Sequence, residues 1–144
     1  MLQTIASAAA DKKAENIVLL DVRGLASFTD FLVIGSGTSD RQVRAVGEHI
    51  EAKVAEAKGP RTIGREGYEQ GEWVLVDFGE VVVHLFTDDE RRAFDLEHLW
   101  GDAPRLRWDP KHPPRELFNV HKLNAGERQQ EVVQAAPVRK RSAH

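Results

Sequence analysis

Residues 73–86, WVLVDFGEVVVHLF, contain two apolar runs separated by the pair Gly79-Glu80. They predict a β-hairpin, because glycine at the first position of a two-residue loop suits a type II′ turn. Such a loop also fixes the register, since the residues on either side of it pair outward in order. The predicted pairs are Phe78 with Val81, Asp77 with Val82, Val76 with Val83, Leu75 with His84, Val74 with Leu85 and Trp73 with Phe86.

The two faces of this hairpin differ in chemistry. Successive side chains of a strand point to opposite faces, so Val74, Val76, Phe78 and their partners form one apolar face that suits a protein core. The other face combines Trp73 and Phe86 with Asp77 and His84. Two interpretations remain open. Either the second helix or the N-terminal helix covers this mixed face, as is usual in α/β sheets, or the face is a protein interface, in which aromatic residues are enriched.

Two helices flank the hairpin in the sequence. Ser39 and Gln42 have capping-box spacing and begin a helix with a single apolar stripe. That helix is predicted to end at Lys58, with Gly59 as a left-handed cap. After the hairpin, Thr87 and Glu90 form a second capping box. The helix that they begin is predicted to run to about Trp100 and to stop at Gly101.

The rest of the body supplies an N-terminal helix and further strands. The helix is predicted to end over residues 7–13, and two apolar runs at residues 16–22 and 28–34 predict strands. The glycine-rich residues 61–71 have room for a short edge strand at most. The order of elements predicts an α/β fold, with a mixed sheet of about five strands and helices packed on it.

Composition divides the chain into an acidic body and a basic tail. The 144 residues carry a net charge of −3 and include no cysteine, which excludes a disulfide scaffold and a thiol nucleophile. Residues 1–101 form the predicted domain, and residues 102–144 form a tail that is basic, contains prolines and is expected to be flexible, with a short helix near residues 128–136. The acidic body disfavours naked nucleic acid and favours a basic protein surface.

No apolar run is long enough to span a membrane, so a cytoplasmic location is expected.

The sequence offers weak candidates for catalysis. The turn Gly35–Ser39 lies between a strand and a helix, where phosphate can bind, but it lacks the lysine of a Walker loop. Asp77 has no second carboxylate two residues earlier in its strand, which a two-metal site would need. The six histidines lack the spacing of a helical zinc site. Arg91 and Arg92 are expected either to pair with Asp88 or Asp95 or to contact a partner.

Three segments resemble the ribosomal silencing factor family, also called the Iojap family. The resemblance spans about residues 11–101 and is carried by residues 30–43 (DFLVIGSGTSDRQV), 73–86 and 91–100 (RRAFDLEHLW). It implies a fold similar to the nucleotidyltransferase fold without its metal-binding acids. The segments depart from the family pattern at Phe94, where many members have tyrosine.

The resemblance also implies a function. Members bind the large ribosomal subunit at ribosomal protein L-fourteen, hinder joining of the small subunit, lower translation when nutrients are scarce, and are often homodimers when free. This predicts a non-enzymatic repressor without a cofactor; the alternative is a nucleotide-handling enzyme that uses the Gly35–Ser39 turn. The residues expected to contact the ribosomal protein are Trp73, Asp77, Phe78, Glu80, His84, Phe86 and Arg91, with Trp73 and Phe86 as apolar anchors. Phe78 is ambiguous among them, because the hairpin register places it on the apolar face.

Overall fold

A six-stranded mixed sheet organises the chain, whose computed structural model describes residues 1–106 and 108. The strands lie in the order β3-β4-β5-β2-β1-β6, and the β2–β5 pair is parallel whereas the other pairs are antiparallel. The α/β class is confirmed, with six strands rather than five. The strand bounds are β1 Glu15–Asp21, β2 Phe31–Gly37, β3 Gly64–Glu66, β4 Trp73–Asp77, β5 Val81–Thr87 and β6 Arg105–Leu106.

The predicted hairpin register is confirmed in β4 and β5. Trp73 lies opposite Phe86, Leu75 opposite His84 and Asp77 opposite Val82. The Phe78 amide donates to the Val81 carbonyl at 2.9 Å, which closes the two-residue loop. Gly79 has a φ of +91°, as the first loop position of a type II′ turn requires.

Two helices cover the apolar face of the sheet. These are α1, Leu2–Asp11, and α2, Asp40–Glu56. Ile5 on α1 and Ile50 on α2 are fully buried in one cluster with Val74 and Val83 of the hairpin. Neither helix covers the mixed face, so the first of the two interpretations of that face, covering by the second or the N-terminal helix, is wrong.

The ends of α2 differ from the prediction in detail. Ser39 accepts a hydrogen bond from the Gln42 amide at 3.1 Å, as a capping residue should. The Gln42 side chain reaches one residue further back, and its Oε1 accepts from the Thr38 amide at 2.7 Å. At the other end Lys58, rather than Gly59, adopts the left-handed conformation, with a φ of 57°.

The strand that precedes α2 begins later than predicted. It was expected over residues 28–34 but spans Phe31–Gly37, because it pairs with β5 from Phe31 opposite Val81 to Gly37 opposite Thr87. Residues 28–30 belong instead to the preceding loop, which Thr29 ties to the hairpin by donating to the Gly79 carbonyl at 2.9 Å.

The mixed face is partly covered by two short helices, α3, Asp88–Phe94, and α4, Leu96–Leu99. A single helix to Trp100 was expected, but Asp95 interrupts it with a φ of 42°. Asp95 accepts from the His98 amide at 3.3 Å and so caps α4. Thr87 precedes α3 without forming the predicted side-chain cap.

The sheet extends past Gly101, where the body was expected to end. β6 pairs with β1 through Leu19–Leu106 and Leu20–Arg105, and Ala103 and Leu106 are buried. The domain therefore includes residues up to at least Leu106. The rest of the predicted tail, with the helix near residues 128–136, lies outside the described residues, Trp108 excepted.

Tyr68 attaches the segment before β4 to α2. Its hydroxyl donates to Glu51 Oε2 at 2.6 Å, and the Arg65 guanidinium lies 4.1 Å from the centre of its ring. Burial, followed by the hydrogen bond to Glu51, raises the pKa of Tyr68 far above the ordinary tyrosine value. The folded state therefore binds this proton more tightly than the unfolded chain does.

This shift predicts a loss of stability at alkaline pH. The Tyr68 contribution is complete below the unfolded pKa of about 10 and declines as the pH rises past it, because only the unfolded state then releases the proton. We expect Tyr68→Phe to remove this part of the pH dependence in denaturant unfolding. Because Tyr68 is the one tyrosine of the chain, tyrosinate absorbance follows it alone. An ordinary tyrosine titration in the folded protein would contradict the prediction.

Candidate protein-binding surface

A cluster of aromatic rings forms where α3 crosses the mixed face of the hairpin. The Trp73 ring lies 5.0 Å from that of Phe86 and 4.4 Å from that of Phe94, centre to centre. Phe86 is 1% exposed, Trp73 is partly buried above it, and Phe94 on α3 is 47% exposed. The cluster therefore has a buried base and an outer edge that solvent can reach.

Beside these rings lies an open groove of about 540 Å³. Its walls come from the hairpin, from α3 and α4, and from the loop before β2. Glu66 and Asp77 are the two formally charged residues that line it, and both are acidic. Phe28 on the opposite wall is 47% exposed and meets Trp100 edge to face. The complete lining is Phe28, Leu32, Glu66, Trp73, Leu75, Asp77, Val82, His84, Phe94, Leu96, Leu99 and Trp100.

Hydrogen bonds position the polar groups of the groove. Trp73 Nε1 donates to His84 Nδ1 at 3.0 Å, and this requires that Nδ1 carries no proton, because the indole N–H can only donate. Asp77 Oδ1 accepts from the Gly79 amide at 2.8 Å. Asp77 therefore supports the turn of the hairpin as well as lining the groove.

Two of the expected contact residues lie in the core. Phe78 is 3% exposed on the apolar face, and Phe86 is 1% exposed beneath Trp73 and Phe94. This burial corrects the expectation that Phe86 is a surface anchor, because its ring supports the exposed rings instead. Trp73, Asp77 and His84 lie together in the groove, and Glu80 lies exposed at the tip of the hairpin.

Arg91, a third expected contact residue, is also buried, on the inner side of α3, where its donors serve the protein's own fold. Its Nε donates to Glu97 Oε1 at 2.9 Å, and its Nη1 donates to Ser36 Oγ and to the Glu15 carbonyl, both at 3.3 Å. The expected pairing with Asp88 or Asp95 is therefore replaced by a link from α3 to α4 and the sheet. Arg92 is exposed and pairs with Asp89.

The Gly35–Ser39 turn has little of the geometry of a phosphate cradle. Gly35, Ser36 and Gly37 are buried residues of β2. The amides of Thr38 and Gln42 already donate to side chains, and Gln42 Nε2 donates to the Lys13 carbonyl at 3.0 Å. Within residues 1–106 and 108, no group of three or more histidine, aspartate or glutamate residues is arranged to hold a metal ion.

Sequence reasoning missed the exposed residues that α3, α4 and the loop before β2 bring to the groove. Phe94 and Phe28 are exposed there, and Leu96 and Leu99 are partly buried. Phe94 lies in the third matching segment, so its position was visible. Its contact with Trp73 was not, because it depends on how α3 crosses the hairpin in the folded protein.

Comparison with known proteins gives the family. The model of the family described as "Ribosomal silencing factor during starvation" matches residues 1–142. The chain belongs to this family. The match is wider than the resemblance at residues 11–101 and includes the basic tail.

Individual family members support this assignment. The ribosomal silencing factor of Halalkalibacterium halodurans is 47% identical over 106 residues, which cover 74% of this chain and 90% of the relative. The crystal structure of a Chromobacterium violaceum protein is 34% identical, with a TM-score of 0.67, and the match covers 81% of this chain and 94% of the other. A mouse relative, 33% identical over 91 residues, is named "Mitochondrial assembly of ribosomal large subunit protein 1"; the match covers 62% of this chain and 40% of the mouse protein.

In the portion that the structure describes, no helix has the length and apolar character to cross a bilayer.

Proposed function

We propose that this member of the ribosomal silencing factor family represses translation by binding the large ribosomal subunit through the groove beside Trp73. The observation that carries the proposal is the contact of the partly buried Trp73 with the exposed Phe94, which lie at the groove on a buried Phe86. Aromatic residues on a rigid base are the usual hot spots of protein interfaces, since they lose little entropy on binding. Glu66 and Asp77 supply acidic groups to the groove, and Glu80 lies exposed at the tip of the hairpin.

The charge of the body favours a basic partner. Residues 1–100 contain 11 lysines and arginines against 18 aspartates and glutamates. The family resemblance points to ribosomal protein L-fourteen, and a basic ribosomal surface would attract this body. Such attraction raises association rates by about 10- to 10³-fold and weakens as salt is added.

Repression of this kind requires occupancy and no chemistry. A protein seated where the small subunit docks prevents joining by its bulk, so affinity and position suffice. An interface of about 800 Å² on each partner is enough for a stable complex. We therefore propose a non-enzymatic factor that acts in the cytoplasm, where ribosomal subunits join, and that forms a homodimer when free.

Sedimentation of ribosomal subunits tests this function. We expect the purified chain to co-sediment with bacterial large subunits and not with small subunits in a sucrose gradient. Added before the two subunits are mixed, it should lower the fraction of intact ribosomes in proportion to its occupancy. Binding without any loss of joining would refute the steric mechanism. Light scattering of the free chain measures whether it is a dimer.

Charge reversal in the groove, at Glu66, and at the tip of the hairpin, at Glu80, predicts weaker binding to the large subunit. We expect Glu66→Lys and Glu80→Lys each to lower the affinity for large subunits by about tenfold, mainly through the association rate, and to reduce its dependence on salt. Glu48→Lys is the matched control, because Glu48 is exposed on α2 at the other face of the sheet. Equal losses in all three variants would indicate a nonspecific charge effect rather than this groove.

A further inference from the structure

We propose that a second cavity, separated from the groove by α3, binds the phosphate group of a small phosphorylated ligand. This arginine pocket has a volume of about 410 Å³ and is lined by Arg91, Arg92 and Arg105 together with Ser36 and Asn16. Its volume falls within the range of about 300 to 1,000 Å³ that is typical of small-molecule sites. The proposal does not depend on ribosome binding.

Charge distinguishes the arginine pocket from the rest of the body. Three guanidinium groups face two carboxylates, Asp88 and Glu97, so the lining carries a formal charge of +1. Residues 1–100 as a whole carry a net charge of −7. A positively charged cavity in an acidic protein attracts small anions and is a poor site for cations.

The three arginines differ in how firmly other residues of the protein already hold their guanidinium N–H groups. Arg91 is buried and held by Glu97 at 2.9 Å, so it forms the floor of the pocket. Arg105 lies 3.7 Å from Glu97, which is longer than a hydrogen bond, and its side chain is 52% exposed. Arg92 is 73% exposed and pairs at the surface with Asp89, which does not line the pocket. Arg92 and Arg105 can therefore turn their planar forks to a phosphate, the group that guanidinium donors bind in pairs.

The backbone beside the pocket has an irregularity of the kind found near binding sites. Glu15 pairs with Ser36 and Val18 pairs with Ile34, so β1 carries one extra residue in this interval. Asn16, within this bulge, has a φ of 51°, a conformation that most residues avoid. Bulges of this type recur beside functional sites. Here the bulge brings Asn16 and Ile17 to the wall of the pocket, next to the Ser36 hydroxyl.

The ligand that fits these features carries a phosphate group at one end. Arg92 and Arg105 would hold the phosphate oxygens, with Arg91 beneath them; Ser36 positions Arg91 by accepting from its Nη1, since the Ser36 hydroxyl itself donates to the Glu15 carbonyl at 3.2 Å. Ile17 and Val18 supply an apolar wall for the remainder of the ligand. Inorganic phosphate and pyrophosphate carry the same charged group but have no apolar remainder. The experiment therefore compares them with a ligand that has both parts.

Calorimetric titration of the full chain tests the site, with pyrophosphate, inorganic phosphate and adenosine monophosphate as probes. We expect binding of at least one probe, and we expect Arg92→Gln and Arg105→Gln each to weaken it by about tenfold, because each removes a charge-assisted contact. Arg61→Gln is the matched control, since Arg61 is exposed and far along the chain from the pocket. Thermal unfolding without ligand verifies that each variant folds.

The outcomes decide between the alternatives. Tighter binding of the mononucleotide than of inorganic phosphate and pyrophosphate assigns the pocket to nucleotides, and the reverse assigns it to free phosphates; both support the proposal. No binding by any probe overturns it, as does an equal loss in Arg61→Gln. Binding of a single-stranded oligonucleotide without binding of the small probes also overturns it, because the arginines would then serve nucleic acid.

Discussion

Replacing Trp73 with alanine is expected to lower the affinity for large ribosomal subunits by about 100-fold, which is the loss typical of a central aromatic hot spot. The substitution removes the ring that joins Phe86 to Phe94 and also removes the donor to His84 Nδ1. Co-sedimentation at increasing subunit concentration measures the change. Trp73→Phe keeps an aromatic ring but loses the hydrogen bond, so its affinity should lie between those of the wild type and the alanine variant.

Phe94→Ala keeps the prediction testable if the loss of Trp73 also harms folding. Phe94 is 47% exposed, so its removal should leave the core intact while it lowers the affinity by about tenfold. Thermal unfolding of both variants separates folding from binding. Wild-type co-sedimentation of both folded variants would show that the groove is not the docking surface.

Among glycine-to-alanine substitutions at the described residues, Gly67→Ala is expected to be the most destabilising. Gly67 has a φ of +86°, and a methyl group there would lie 1.9 Å from the Trp73 carbonyl oxygen. Because that obstacle is backbone, the start of β4 must move to relieve it. We expect a loss of about 3 kcal/mol or more in the free energy of unfolding, the sum of a left-handed alanine and a displaced strand. Denaturant unfolding measures this loss.

Alanine substitutions at two other glycines separate the cost of the left-handed conformation from the cost of displacing the strand. Gly24 has a similar φ of +82° but open space around it, so Gly24→Ala should cost only the conformational part, about 1 kcal/mol. Gly64 has open space and no positive φ, so Gly64→Ala should change stability by less than about 0.5 kcal/mol. If Gly67→Ala costs no more than Gly24→Ala, the close approach to Trp73 is refuted.

The hairpin and α2 were predictable because their signals are local. A two-residue loop fixes each pair from Trp73–Phe86 to Phe78–Val81 without knowledge of the rest of the chain. The Ser39 cap depends on residues three positions apart in the same helix. The apolar face of the hairpin follows from the alternation of side chains along a strand. The family was also predictable from the sequence, because the three segments that resemble it occur in the same order along the chain as in the family.

The composition of the binding surface was only partly predictable. Trp73, Asp77 and His84 were placed on the mixed face by register, and the structure finds them in the groove. Phe86 points to the same face of the hairpin, but whether its side chain is exposed or buried depends on what packs against that face. That depends on the position of α3, because Phe94 on α3 and Trp73 on β4 together bury Phe86.

Neighbouring residues and their order along the chain were enough to predict the pairing of the hairpin, the difference between the two hairpin faces and the family. Tertiary structure alone decided which side chains remain exposed. The burial of Arg91 against Ser36 and the pairing of β6 with β1 join residues far apart in the chain. Such contacts depend on the packing and hydrogen bonding of the whole domain, which local sequence patterns do not contain.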